Sequence, residues 1–212
     1  MYTFDSWYQV IKENVIPVVD LAKSCYKQGI IIDIGSNLGS FTDSLMEIYP
    51  ESEYHLFEPS PKFSEYLIDK YKNNPNVFLN LKGLGEENTT TKILFNPDNW
   101  GHNIITSHQG DDIEIIRLDS YIGENNLKNI GLIKIDVEFY EPFVLNGLKK
   151  YIENTSNLPP IILEHNWGGS PYKDKWYQIT KWLFKYYKPF EFDKDVPMFD
   201  LILLPNENTI RN

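Results

Sequence analysis

The apolar positions of this chain change their spacing several times, and each change marks an element. Residues 6–27 place Trp7, Val10, Ile11, Val15, Val18, Val19 and Leu21-Ala22 at roughly helical spacing, with Pro17 interrupting the middle. This predicts an N-terminal helical cap. From residue 30 the pattern becomes blocks. Residues 30–34 are apolar apart from Asp33, 38–48 are amphipathic and stop at Pro50, and 53–57 form a second apolar block. Pro61 then opens a helix over 61–73 in its first turn, and 76–81 predict a third strand. Near-continuous apolar strands between amphipathic helices indicate a parallel sheet covered on both faces.

The middle of the chain differs. Thr90–Phe95 and Ile113–Leu118 read as strands separated by a polar loop rich in Asn, Gly and His. A buried strand resumes at 131–135, followed by a helix from Glu141 to Tyr151. Pro159-Pro160 precede a strand at 161–164, an aromatic-rich helix spans 174–187, and Phe190–Phe192 and Phe199–Leu204 close the chain as two strands. The expected architecture is α/β and Rossmann-like: a seven-stranded, mostly parallel sheet with an antiparallel terminal strand at its edge. One domain covers 1–212, with the cap over 1–28 and the core over 29–212.

Composition narrows the partners. A length of 212 residues suffices for a core without staples. The single cysteine, Cys25, excludes a disulfide framework and a cysteine zinc cluster. A formal net charge of −10 disfavours a nucleic-acid partner, whose phosphates call for a basic surface. The N-terminus lacks a basic start and an apolar core, and no apolar run approaches the roughly 20 residues that span a bilayer. The expectation is a soluble, cytoplasmic protein without a membrane span.

The candidate chemistry lies where strands end. Gly35-Ser36-Asn37-Leu38-Gly39 follows the first buried strand as a tight turn into a helix. A dinucleotide fold would place glycine at position 37, letting the backbone approach a pyrophosphate. Asn37 stands there instead, and Asp33 precedes the turn, a carboxylate suited to a ligand with an ammonium group and no phosphate. S-adenosylmethionine is such a ligand. Glu58 ends the second strand, where an acid accepts hydrogen bonds from ribose hydroxyls; the competing reading is a helix-capping acid before Pro59-Ser60-Pro61. Lys134-Ile135-Asp136-Val137-Glu138 and Leu163-Glu164-His165 bring more acids and a histidine to the same sheet edge. Lys134 also has a plain structural reading, as the partner of one of these acids.

These motifs occur together and in order. Asp33-x-Gly35-x-Asn37-x-Gly39, Phe57-Glu58-Pro59, Leu118-Asp119, Lys134-x-Asp136-x-Glu138-x-x-Glu141, Leu145-x-Gly147 and Glu164 resemble the FkbM family of methyltransferases over about residues 30 to 165. The resemblance implies a class I, S-adenosylmethionine-dependent fold acting on hydroxyl groups, commonly of sugars, glycolipids or polyketides. The cofactor set drawn from it is Asp33, Gly35, Ser36, Asn37, Gly39 and Ser40, with Glu58, Pro59 and Asp136. His165 is the first candidate base for the acceptor hydroxyl and Asp136 the second. Glu138, Glu164, Trp167 and His102 are expected on the substrate side, and the loop carrying His102 reads either as a lid over the cofactor or as an exposed hairpin loop. Asp136, Glu138, Glu164 and His165 also have the make-up of a magnesium site, but the resemblance requires no metal and none is assigned. One departure stands out: Phe139 occupies a position where the family usually has glycine.

The expected function is therefore O-methylation of a saccharide or other hydroxyl-bearing small molecule. Alternatives are a methyltransferase for a small metabolite or lipid headgroup, and a non-catalytic cofactor-binding module of a larger glycan-assembly protein.

Overall fold

The computed structural model describes residues 2–164, 169–190 and 200–206. Its elements, in chain order, begin with α1 (Phe4–Asn14), α2 (Ile16–Cys25), β1 (Ile30–Ile34), α3 (Ser40–Ile48), β2 (Tyr54–Phe57), α4 (Pro61–Tyr71) and β3 (Val77–Asn80). Then follow β4 (Gly83–Leu84), β5 (Thr89–Leu94), β6 (Ile104–Thr106), β7 (Asp111–Ile116) and α5 (Leu118–Glu124). The chain continues with β8 (Ile130–Ile135), α6 (Glu141–Gly147), α7 (Lys149–Asn154), β9 (Ile161–Glu164), α8 (Lys173–Leu183), β10 (Tyr187–Pro189) and β11 (Asp200–Pro205).

The main sheet has seven strands in the order β10-β11-β9-β8-β1-β2-β3. β1 pairs in parallel with both β2 and β8, and β9 extends the parallel set beside β8. Chain order therefore reverses at β1, which creates a crevice beyond the carboxyl ends of β1, β2 and β8. The antiparallel strand is β11, the last strand in the chain. It lies between β9 and β10 and not at the expected edge.

Alternate residues along each central strand feed opposite faces. Ile32, Ile133 and Ile161 pack with α5–α8 through Leu118, Leu145, Ile152 and Ile179. Ile31, Leu132 and Ile162 pack with α1–α4 through Trp7, Leu21, Leu45 and Leu67. Burial on both faces accounts for the unbroken apolar runs of β1 and β8.

Residues 83–116 do not extend this sheet. They fold as a second sheet in the order β4-β7-β5-β6, standing beside the crevice. Pro17 ends the first part of the cap by occupying the opening turn of α2, so the cap is two helices. The expected 141–151 helix is likewise two, divided at Leu148. Tyr187 belongs to a strand and not to the preceding helix, and the expected 190–192 strand falls mostly outside the described residues.

Candidate active site

The glycine turn sits at the reversal point. Gly35 has φ +77°, and a Cβ on it would lie 1.8 Å from the carbonyl oxygen of Asp136, so no other residue fits between the ends of β1 and β8. Asn37 takes φ +50°, the left-handed conformation that asparagine tolerates. All five amides of the turn are used within the protein. Gly35 and Ser36 donate to the Phe57 carbonyl at 3.0 and 3.1 Å, and Gly39 donates to that of Ser36 at 2.7 Å. Asn37 donates to Glu58 Oε2 at 2.9 Å, and Leu38 to Asn37 Oδ1 at 2.9 Å. A phosphate cradle needs such amides directed at the anion. This turn offers it none of the five.

Glu58 does not cap α4; it braces the two turns and still reaches the cleft. Oε1 accepts from the Ser60 amide at the start of α4 and Oε2 from Asn37, so one carboxylate joins the turns after β1 and β2. The residue also lines the cleft. Burial pushes its pKa up to about 7, against the pull of the Ser60 and Asn37 amides. Each oxygen keeps lone-pair capacity for a further donor such as a ribose hydroxyl.

Two residues of the expected cofactor set do not line the cleft. Asp33 is fully buried beneath the turn and is absent from the cleft wall; its carboxylate accepts from Thr42 at 2.8 Å and faces Lys134 at 3.5 Å. Alternation along β1 points it into the protein, so it supports the turn from below. Gly39 also lies behind the wall, where its Cβ position is blocked by the Tyr71 hydroxyl. Ser36, Ser40 and Pro59 do line the cleft, and the buried Ser36 Oγ has no hydrogen-bond partner among the described residues.

Lys134 takes its structural reading. Its ammonium lies 3.1 Å from Asp136 and donates to the Gly35 carbonyl. Burial opposes the charge, but Asp136 and Asp33 outweigh it and hold the pKa above the ordinary lysine range. Asp136, Glu138 and Glu164 come together, with a carboxylate oxygen from each within 4.8 Å of the others. Glu164 is pushed up to about 10 by burial and by the charges of Asp136, Glu138 and Glu141, and it hydrogen-bonds Asp136. Glu138 is raised by burial and by Asp136, while His102 lowers it.

The chain after β8 is unusual. Glu138 and Phe139 both have positive φ, +52° and +75°. The Val137 and Phe139 amides donate to Glu141 Oε1, each at 3.2 Å, fixing the turn from a fully buried carboxylate. Glu138 Oε2 meets His102 Nδ1 at 2.6 Å, and the Phe139 ring packs edge-on against that imidazole. His102 and Glu138 are 36 residues apart, and nothing in the local pattern of either signals their meeting. His165 and Trp167 lie outside the described residues.

The resulting cleft spans about 900 Å³ when the solvent space at its open mouth is included. Its floor is the Gly35–Asn37 turn with Glu58, Lys134 and Asp136. Its walls are apolar: Ile11 and Val15 from the cap, and Leu84, Ile93 and Ile105 from the second sheet. Gly101 and Asn103 of the β5–β6 loop close the remaining side. Asn37 ties this loop and the cap to the floor, donating to the Trp100 carbonyl at 2.9 Å and accepting from Trp7 Nε1 at 3.2 Å. The sequence offers the loop as a lid, but nothing in the local pattern signals that Asn37 ties the loop and the cap to the floor.

A reversed parallel sheet with an antiparallel last strand, and a cleft at its switch point whose glycine-turn amides are all engaged within the protein, give the architecture of a Rossmann-like class I methyltransferase. Residues 33–188 match the model of the methyltransferase FkbM domain, and the chain belongs to that family. S-adenosylmethionine is its cofactor, and the buried, unpartnered Ser36 hydroxyl and the Glu58 carboxylate fit it. The chain is 29% identical over 143 residues to Methyltransferase 1 of Beauveria bassiana, covering 56% of this chain and 57% of that protein. It thus spans little more than half of that relative's length. Two solved structures share the fold. The SAH-bound methyltransferase PaMTH1 of Podospora anserina aligns with TM-score 0.53 and 11% identity, covering 98% of this chain and 89% of that one. A putative rRNA-methylase of Clostridium thermocellum aligns with TM-score 0.53 and 14% identity, covering 88% and 91%.

Proposed function

We propose that this protein transfers the methyl group of S-adenosylmethionine to a hydroxyl group, most naturally one on a sugar or glycan. The observation that carries the reading is the floor of the cleft: every turn amide is occupied, the Glu58 carboxylate stands at the end of β2 where a ribose would be read, and Asp136 and Glu138 line the rim. Such a floor repels phosphate and attracts a ligand bearing ammonium and sulfonium charges. The net charge of −10 points the same way, toward a small acceptor and away from nucleic acid.

Bound S-adenosylmethionine supplies an electrophilic methyl group on sulfur. The protein's part is to hold the acceptor oxygen in line with it and to remove the hydroxyl proton. Glu58, Ser36 and the Asn37 turn form the cofactor side. Asp136, paired with Lys134 at 3.1 Å, stands between the two sides and orients what binds there. Asp136 and His165 remain the base candidates from the sequence.

The test is transfer of labelled methyl from S-adenosylmethionine to methyl glycosides, compared with glycerol phospholipid headgroups and small hydroxy acids. Labelling of the glycosides supports the reading. Labelling of headgroups or hydroxy acids alone would transfer it to the lipid or metabolite alternative. Binding of S-adenosylmethionine without transfer to any hydroxyl would leave a cofactor-binding module.

A further inference from the structure

We propose that His102, held by Glu138, is the general base for the acceptor hydroxyl; the inference rests on the methyl-transfer reading above. Four observations place it. The imidazole Nδ1 is 2.6 Å from Glu138 Oε2. His102 is not itself part of the cleft wall and its side chain is 40% exposed, but Glu138 and the chain neighbours of His102, Gly101 and Asn103, all line the cleft, which sets the imidazole beside it on the solvent side. An ionised carboxylate only accepts, so Nδ1 donates and the lone pair of the neutral ring falls on Nε2. Among the described residues Nε2 meets no hydrogen-bond partner. The Phe139 ring, 5.7 Å away and nearly perpendicular, fixes the plane of the imidazole.

The backbone supports the same assignment. The Trp100 carbonyl, two residues before His102, accepts from both Asn37 and Asn103, which registers the loop against the cofactor turn. Glu138 is held in a left-handed conformation, and Phe139 follows it in another, an arrangement that costs energy and concentrates at functional sites. That geometry aims the Glu138 carboxylate at the loop. The charged groups around the pair are Asp136, Glu164 and Lys134. In the step, the acceptor oxygen forms a bond to the methyl carbon and the carbon–sulfur bond breaks with its electrons staying on sulfur. The hydroxyl proton passes to His102 Nε2 and then to solvent. Glu138 is a positioning residue, acting through the imidazole.

The experiment combines imidazole ¹⁵N NMR in the presence of S-adenosylhomocysteine with turnover on methyl glycosides. Wild type is expected in the Nδ1–H tautomer, lost in Glu138→Ala and regained in Glu138→Asp. His102→Ala is expected to lose roughly 100-fold or more in kcat with S-adenosylhomocysteine affinity kept, and added imidazole should restore part of the rate. An Nε2–H tautomer in the wild-type complex, or His102→Ala turning over at the wild-type rate, overturns this inference alone. Loss of turnover that imidazole does not restore, together with weakened cofactor binding, makes the pair a structural clasp and also overturns it. Failure to bind S-adenosylhomocysteine, or binding without methylation of any glycoside, instead sinks the reading on which it rests.

Discussion

Phe139 is the residue whose placement is least expected of its chemistry. Its φ of +75° suits glycine, which the resemblance places there, yet its ring packs on His102 and lies against Gly169. Backbone strain and ring contacts oppose each other, which gives a signed prediction. Phe139→Gly is expected to be more stable than Phe139→Ala by about 1 kcal/mol, the reverse of the usual alanine-over-glycine order. Both variants lose the ring, so urea unfolding isolates the backbone term; an alanine variant at least as stable would mean the position is unstrained. Glu58 supplies a second prediction. Glu58→Gln leaves one of the Asn37 and Ser60 amides without an acceptor, at a cost of about 1–3 kcal/mol. It should also weaken cofactor binding, and unchanged affinity would confine Glu58 to its structural role.

At the scale of elements, the turn after β1, the cap and the β5–β6 loop behave as one device joined through Asn37. Asn37→Gly keeps the left-handed backbone and removes the side-chain ties to Trp7 and Trp100 together with the acceptor of the Leu38 amide. Hydrogen exchange over residues 96–103 should then rise by about tenfold, with weaker cofactor binding. Exchange unchanged from wild type would show that the aromatic packing of Trp100 suffices. The acidic rim makes a different prediction. Glu138 is already engaged by His102 and Glu164 by Asp136, so chelation by EDTA is expected to leave methyl transfer intact. Loss of activity restored by magnesium would assign the three carboxylates to a cation.

The elements also show what the sequence makes legible. β1, β2 and β8 stand out because burial on both faces leaves no polar alternation to confuse with a helix. β5 reads Thr-Thr-Thr-Lys-Ile-Leu and is recognisable, but β4 and β6 have two and three residues, too short to carry a period. α5 is missed for a related reason, burying only Leu118 and Ile122. Site residues on the chain's own motifs, from Gly35 to Asp136, are visible as motifs. Their partners are not: the meetings of Asn37 with Trp100 and of His102 with Glu138 depend on where a separate sheet stands, which no local pattern records. Asp33 stands next to the ligand turn in its motif, while strand alternation turns its buried side chain inward.

Across the whole molecule, buried carboxylates set the response to pH. Glu58 and Glu141 are both raised from 4.5 to about 7, chiefly by burial, and Asp200 from 3.8 to about 6. Each folded value lies above its unfolded one, so the native state binds more protons in the intervening window. Their stabilising contribution is complete below the unfolded values and declines as pH rises through the folded ones. The thermal midpoint of the ligand-free protein should therefore fall by roughly 5 °C between pH 5 and pH 8. A midpoint that rises over that range would mean these groups are ionised in the native state. No helix among the described residues is long and apolar enough to cross a membrane.

The central claim is a cleft built for a cofactor with cationic groups and no phosphate. Titration calorimetry with S-adenosylmethionine, S-adenosylhomocysteine and NAD tests it directly. The account predicts micromolar-range binding, about −8 kcal/mol, for the first two and none for NAD. Binding of NAD, or silence from both methionine-derived ligands, would contradict it.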